Sequence, residues 1–339
     1  MNRNRYLRRE AVAALLLSWL AVLSSCGGGG TSDGVIDLKL GHVSHPGALV
    51  AESADEFARR ANEKLKGRAR VTVYGSSQLG SDEVLLQKLK LGTVDFSLPS
   101  TIMSTVVDQF GLFEMPYLVK DREHMKRIEE AVFWSDLAPL SEAKGYRPLA
   151  VWENGFRHIT NKDHAIRMPA DLQGIKLRTP KGRWRVKMFQ AYGANPTPMP
   201  LSEVFVALQT GVMDGQENPL SMISSTKFQE VQTYLSLTEH VYTPAYLLAG
   251  TRTWEKLPED IRETLQATAR ETQEFVHRRG AEIDEELLVK LKEGGLQVNE
   301  VNRKAFEDAS TEIYQEFRDA VEGGKALIDR AVALRDGQG

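Results

Sequence analysis

From residue 36 onward the chain alternates between two hydrophobic periods, and that alternation constrains its fold more than any other feature. Residues 36–43 alternate with the period of two that marks a strand. Residues 48–65 carry Val50, Ala54, Phe57, Ala58, Ala61 and Leu65 at helical spacing. Residues 70–74 read as a strand, 82–91 as a helix and 94–98 as a strand again. This βαβαβ order predicts an open parallel sheet with helices on its faces. A second run follows. Residues 146–152, 157–160, 175–178 and 213–217 are strand-like. Helical patterns occupy 184–192 and, after Ser202 as a cap, 203–209. Residues 242–249 form a last apolar strand.

A long helix comes next. Pro258 stands where a helix starts, with Glu259 and Asp260 in the first turn, and Gly294-Gly295 stops it. The intervening stretch of about 35 residues is roughly 50 Å long as one helix. That is enough to lie across two α/β units, although Gly280 leaves room for a break into two helices.

The N-terminus is of a different kind. Arg3, Arg5, Arg8 and Arg9 precede an apolar stretch at 11–23, broken only by Ser18. At about 13 residues it falls short of the roughly 20 needed to span a bilayer. Basic start, short apolar core and small residues at the break make a secretory signal. Leu23-Ser24-Ser25-Cys26-Gly27 resembles the lipobox of bacterial lipoproteins. The resemblance implies cleavage before Cys26 and lipid on its thiol, hence membrane contact without a transmembrane helix; the alternative is ordinary cleavage near Ser25. Cys26 is the sole cysteine, so no intrachain disulfide forms. Residues 27–34 read as a Gly/Ser/Thr tether. The expected organisation is a signal at 1–25, anchor and tether at 26–34, and a first α/β lobe at 35–153. A second, carboxylate-binding lobe follows at 154–241, then a return strand, long helix and C-terminal helices at 242–339.

With 43 Lys and Arg against 46 Asp and Glu, the chain lacks the basic balance that nucleic-acid binding wants. An acidic ligand must be held by local cations. Ligands of open α/β folds bind beyond the carboxyl ends of strands, often between domains. The loops to watch are therefore 42–47, 76–82, 99–103, 154–157, 178–185 and 216–218. HExxH, P-loop and CxxC motifs are missing, and the pair His42 and His45 has no further His or Cys cluster to complete a metal site. No catalysis, cofactor or metal is expected. Leu177-Arg178-Thr179-Pro180 sets a cation at a strand end before a stiff turn. There an Arg can offer its planar fork to a carboxylate, or simply be solvated. Asp214-Gly215-Gln216-Glu217-Asn218-Pro219 is a strand end with amide donors, or a turn held by side-chain to backbone bonds.

These segments occur in a telling order. Gly75 to Gly80 (GSSQLG) and Met115-Pro116-Tyr117 come first. Arg178-Thr179-Pro180, FQAYGANPTPM at 189–199, Ser202-Glu203-Val204, ALQTG at 207–211 and DGQENP at 214–219 follow. The chain resembles, over nearly its whole mature length, the DctP-type solute-binding subunits of tripartite ATP-independent periplasmic (TRAP) transporters. The resemblance implies a two-lobed, periplasmic-binding-protein-like α/β fold that closes on its ligand, with one long helix spanning both lobes. It implies a small organic acid as ligand and an ion-gradient-driven membrane permease as partner. A sensory receptor docking on a kinase or chemoreceptor would present the same site. Arg178 matches the family Arg that pairs with the ligand carboxylate, Asn218 the Asn that donates to it, and Arg157 a second Arg that joins them. Leu201 falls where a family side chain lies against the ligand, while Ser100 and Asp82 face the cleft from the first lobe. Sialic-acid members carry a Glu and an Arg where Ser100 and Met103 stand here, so a smaller acid, or one with an apolar portion, is expected: a C4-dicarboxylate, a uronate or other sugar acid, or a 2-oxo or hydroxy acid. His42, His45, Trp152, Trp184 and Tyr242 are candidates for shaping that choice.

Overall fold

The computed structural model describes residues 34–336. Among them the strands are β1 (Ile36–Gly41), β2 (Ala69–Tyr74), β3 (Phe96–Ser97), β4 (Tyr146–Phe156), β5 (His158–Asn161), β6 (Lys176–Thr179), β7 (Asn195–Pro198), β8 (Gly215–Asn218), β9 (Tyr234–Leu237), β10 (Tyr242–Gly250) and β11 (Gln297–Glu300). They form two sheets, β2-β1-β3-β10-β4 and β11-β9-β5-β8-β6-β7.

Neither sheet is purely parallel, contrary to the sequence expectation. β1 runs parallel to β3, but β10 is antiparallel to both β3 and β4. In the second sheet β6 is parallel to β7 and β8, while β5 is antiparallel to β8 and β9. The reason is topological. The chain leaves the first sheet through β4, enters the second at β5, and returns through β10, which must run back beside the strand by which it left. β7, β9 and β11 escape the hydrophobic pattern. β7 contains Pro196 and Pro198 and lies at an edge, where a missing N–H breaks no ladder.

The long helix is single, Glu259–Glu293, 35 residues. Its first half rides the first sheet: Gln266 Nε2 donates to Leu149 O at 2.6 Å and Trp152 Nε1 donates to Ala269 O at 3.1 Å. Its second half buries Ile283, Leu287 and Leu291 in the core under the second sheet, with Val204, Phe228 and Leu235. Gly280 does not interrupt it. The glycine admits the buried Glu153 carboxylate of β4, whose atoms would lie 2.9–3.0 Å from any Cβ there. Arg122 clamps the same carboxylate, with Nη2 2.7 Å from Oε1, and also donates to Gly280 O at 3.1 Å. The joint between β4 and the long helix is therefore tied by charge as well as packing.

Candidate ligand-binding cleft

A cleft of about 750 Å³, open mouth included, lies between the two sheets. Second-sheet strands assemble one wall. Arg178 on β6 sits in register with Gln216 on parallel β8, and Asn218 lies two residues further on, opposite His158 of β5. Because side chains alternate along a strand, Gln216 and Asn218 share a face. Arg157 immediately precedes β5 and so reaches the same end of the sheet.

Arg178 is only 4% exposed. Its Nε and Nη2 donate to Met199 O at 2.9 and 2.6 Å. Met199 is itself pinned, its N–H donating to Thr179 O at 3.0 Å. One edge of the guanidinium is thus committed to backbone, and the Nη1–Nη2 edge remains for a ligand. No carboxylate of the described residues lies within ion-pair distance of it. Burial lowers Arg178 to about 10, against the pull of Glu217 and Asp82, so it stays cationic at neutral pH.

Arg157 also lines the cleft, but it is more heavily engaged than the sequence suggests. Its Nε donates to Glu217 Oε2 at 2.5 Å, and its Nη2 donates to Glu217 O at 2.7 Å and to Asn218 Oδ1 at 3.0 Å. Glu217 Oε2 also accepts from Arg185 Nη1 at 2.7 Å and from His240 Nε2 at 3.0 Å. Arg185 Nη2 lies 2.9 Å from Glu114 Oε2. Burial alone would push the Glu217 carboxyl up; Arg157 and Arg185 overcome it and hold the group well below the ordinary carboxylate range. Burial lowers His240 to about 4, so the ring is neutral. Its Nε2–H then donates to Glu217 and its Nδ1 accepts from Thr238 Oγ1 at 2.8 Å. Burial raises Glu114 to about 7 despite Arg185. Asn218 is oriented by a chain of amides and hydroxyls, its Nδ2 donating to Gln216 Oε1 at 2.6 Å and Gln216 Nε2 to Thr160 Oγ1 at 2.9 Å.

The opposite wall comes from the first sheet. Ser100, after β3, and Asp82, in the first turn of helix Asp82–Leu91, line the cleft, as do Ser44, Thr101 and Asn154. Asn154 Nδ2 donates to Thr243 Oγ1 at 3.2 Å. Leu201 and Met222 supply apolar surface from below. Across the mouth, Lys181 Nζ donates to Glu83 Oε1 at 2.6 Å.

All six residues singled out by sequence, Arg178, Asn218, Arg157, Ser100, Asp82 and Leu201, line this one cleft. Of loop 76–82 only its end, Ser81 and Asp82, does so. His42, His45, Trp152, Trp184 and Tyr242 do not. Trp152 serves the long helix, Trp184 packs on Gly111 and Phe317, and His42 is buried against Gly75. Met103 is fully buried in the core rather than facing a ligand. Sequence reasoning missed Arg185, His240 and Glu114 behind Arg157; no spacing signal links positions so far apart. Cys26 lies outside the described residues. Among the described residues no helix is long and apolar enough to cross a membrane, and no group of three His, Cys, Asp or Glu is placed to hold a metal.

Two sheets bridged by a long helix, with the unpaired Arg178 lining the cleft between them, are the frame of a two-lobed solute-binding protein. The family model for bacterial extracellular solute-binding protein family 7, DctP, matches residues 40–320, and the chain belongs to that family. Its members are solute-binding receptors of TRAP systems rather than enzymes. The chain is 31% identical to the 2,3-diketo-L-gulonate-binding periplasmic protein YiaO of Escherichia coli K12, over 89% of this chain and 91% of that protein. Among solved structures it is similar to a TRAP periplasmic solute-binding protein of Polaromonas sp. JS666 bound to D-erythronate. That match has a TM-score of 0.83 at 33% identity, covering 88% and 98% of the two chains. It is also similar to one of Sulfurospirillum deleyianum with bound succinate, at a TM-score of 0.85 and 32% identity, covering 89% and 99%.

Proposed function

We propose that this protein captures a small organic acid in the cleft and delivers it to a TRAP membrane permease driven by an ion gradient. The observation that carries this reading is Arg178: a buried cation lining the cleft with one hydrogen-bonding edge free and no protein carboxylate against it. A buried charge without a partner is expensive, and a ligand carboxylate satisfies it. Asn218 donates to the same carboxylate through its remaining amide hydrogen, and Arg157, its charge balanced by Glu217, lines the cleft beside it and holds Asn218 Oδ1. Ser100 and Asp82 meet the rest of the ligand, and Leu201 lies against its carbon skeleton. The relatives that bind a diketogulonate, D-erythronate and succinate support an organic acid as ligand.

The lobes that close are residues 35–153 and 154–241, joined by 242–339; the presence of two sheets supports two lobes, although β4 carries the first sheet on to Phe156. Closure follows from preferential binding of the acid to the closed form. Cys26 carries lipid and holds the receptor at the membrane surface, with 27–34 as tether. Intact mass of the mature N-terminus tests that anchor: an unmodified Cys26 refutes it and leaves export standing. The receptor function is tested by thermal stabilisation against a panel of organic acids. A ligand at about 1,000 times its Kd stabilises by about 4 kcal/mol. Arg178→Ala abolishes the shift; a shift that survives it refutes the role of Arg178.

A further inference from the structure

Behind the cleft the two sides meet again, at one short segment. Gly182, Trp184 and Arg185, at the start of helix Arg183–Ala191, come from the second-sheet side and are buried against the first. Gly182 lies so close to Ser104 that a Cβ would stand 3.1 Å from its Oγ. Trp184 rests on Gly111, where a Cβ would stand 2.5 Å from its Nε1. The Gly111 backbone is outside the left-handed region that favours glycine, so what this position needs is space. Arg185 Nη2 lies 2.9 Å from Glu114 Oε2, both buried. The C-terminal helices cross between the sides at the same place. Helix Thr311–Ala320 packs on the second-sheet side: the Phe317 ring lies 5.1 Å from that of Trp184, and Glu316 pairs with Lys187. Helix Gly324–Ala333 packs on the first: Ala331 O meets His124 Nε2 at 2.7 Å, and Arg330 Nη1 donates to Asp136 Oδ1 at 2.8 Å. Residues 321–323 join the two helices, with Gly323 at φ +71°.

We infer that Trp184, seated on Gly111, is the pivot on which the two lobes turn, with residues 321–323 as a hinge strap beside it. The pivot presupposes the reading above, that the protein is a receptor whose lobes close. Exposure decides where the lobes part. At the mouth, the Lys181–Glu83 pair is open to water and separates with little loss. At the rear, separation would uncover a fully buried indole and a buried ion pair. Rotation about the rear contact is therefore the opening motion of lowest free energy. Trp184 Nε1 has no hydrogen-bond partner among the described residues. Shape, rather than a directed bond, holds the ring, and that lets it turn in its seat.

The test is double electron–electron resonance on the full chain carrying Cys26→Ser, which removes its sole cysteine. Spin labels at Gln87→Cys and Glu203→Cys span the mouth, and labels at Thr105→Cys and Gln190→Cys span the rear; all four positions are exposed. The probes are D-erythronate, D-gluconate and succinate. With any that binds, the mouth distance is expected to shorten by more than about 2 Å and the rear distance to stay within that margin. Without acid, the mouth distribution is expected to be the broader. Trp184→Ala removes the pivot and Gly111→Ala fills its seat; in each the rear distribution is expected to broaden toward that of the mouth. A merely structural Trp184 would lower Tm and leave the rear distribution narrow, and that result in the folded variants overturns the inference. So does a wild-type rear distance that changes along with the mouth, a result that needs no variant to fold. If no acid shortens the mouth distance, the receptor reading fails. The two ligand-free distributions still judge the pivot, and equal widths overturn it.

Discussion

Glu217→Gln removes one negative charge from a fully buried ionic cluster. Glu217 and Arg185 are fully buried and Arg157 is 2% exposed. The carboxylate is met by Arg157 at 2.5 Å, Arg185 at 2.7 Å and the neutral His240 at 3.0 Å. With an amide in its place, Arg157 loses its one carboxylate partner among the described residues, and Arg185 keeps only Glu114, which burial pushes toward its neutral form. Removing one partner of a buried pair costs about 3–5 kcal/mol, because the charge left behind is uncompensated. At about 2 °C per kcal/mol for a chain of this size, the ligand-free protein should lose roughly 6–10 °C in Tm at pH 7. The pH dependence follows from the direction of the shift. A carboxyl held below its ordinary value stabilises the fold fully above its unfolded pKa of about 4.3, and that stability is lost as pH falls through the folded value. The gap between wild type and variant should be constant above about pH 5 and close in stronger acid. Thermal denaturation followed by circular dichroism from pH 3 to 8 measures both. A loss below about 1 kcal/mol, typical of an exposed pair, would refute the claim that this carboxylate neutralises the buried arginines.

Other perturbations test other parts. Gly280→Ala places a methyl within 3.0 Å of the Glu153 carboxylate and should destabilise by about 1–3 kcal/mol, read from chemical denaturation. Arg178→Lys keeps the charge but loses the planar fork and the bond pair to Met199 O; calorimetry should show affinity for the acid falling by at least about tenfold. Asp82 has a raised folded pKa, so its contribution is fully present at low pH and is lost as pH rises through about 6. Asp82→Asn should therefore raise the Tm of ligand-free protein at pH 8, with the difference vanishing near pH 4.

The long helix was legible in the sequence because its start and stop are local: Pro258 with two acids, then Gly294-Gly295. Arg178 and Asn218 were legible for a similar reason, each at or next to the end of a short strand in a contiguous motif, so a resemblance could carry them. Strand direction was not legible, since hydrophobic period is the same for parallel and antiparallel pairs. Whether Gly280 broke the helix was decided by Glu153 arriving from β4. The commitments of the charges were decided in the same way. Nothing near Arg157 in sequence says that Glu217, Arg185, His240 and Glu114 converge on it, or that Lys181 turns to Glu83. The order of motifs along the chain, through the resemblance it carries, pointed to Arg178, Asn218, Arg157, Ser100, Asp82 and Leu201 as cleft residues; only the tertiary structure decided which charges are still free there, because ion pairing depends on separation in space and not along the chain.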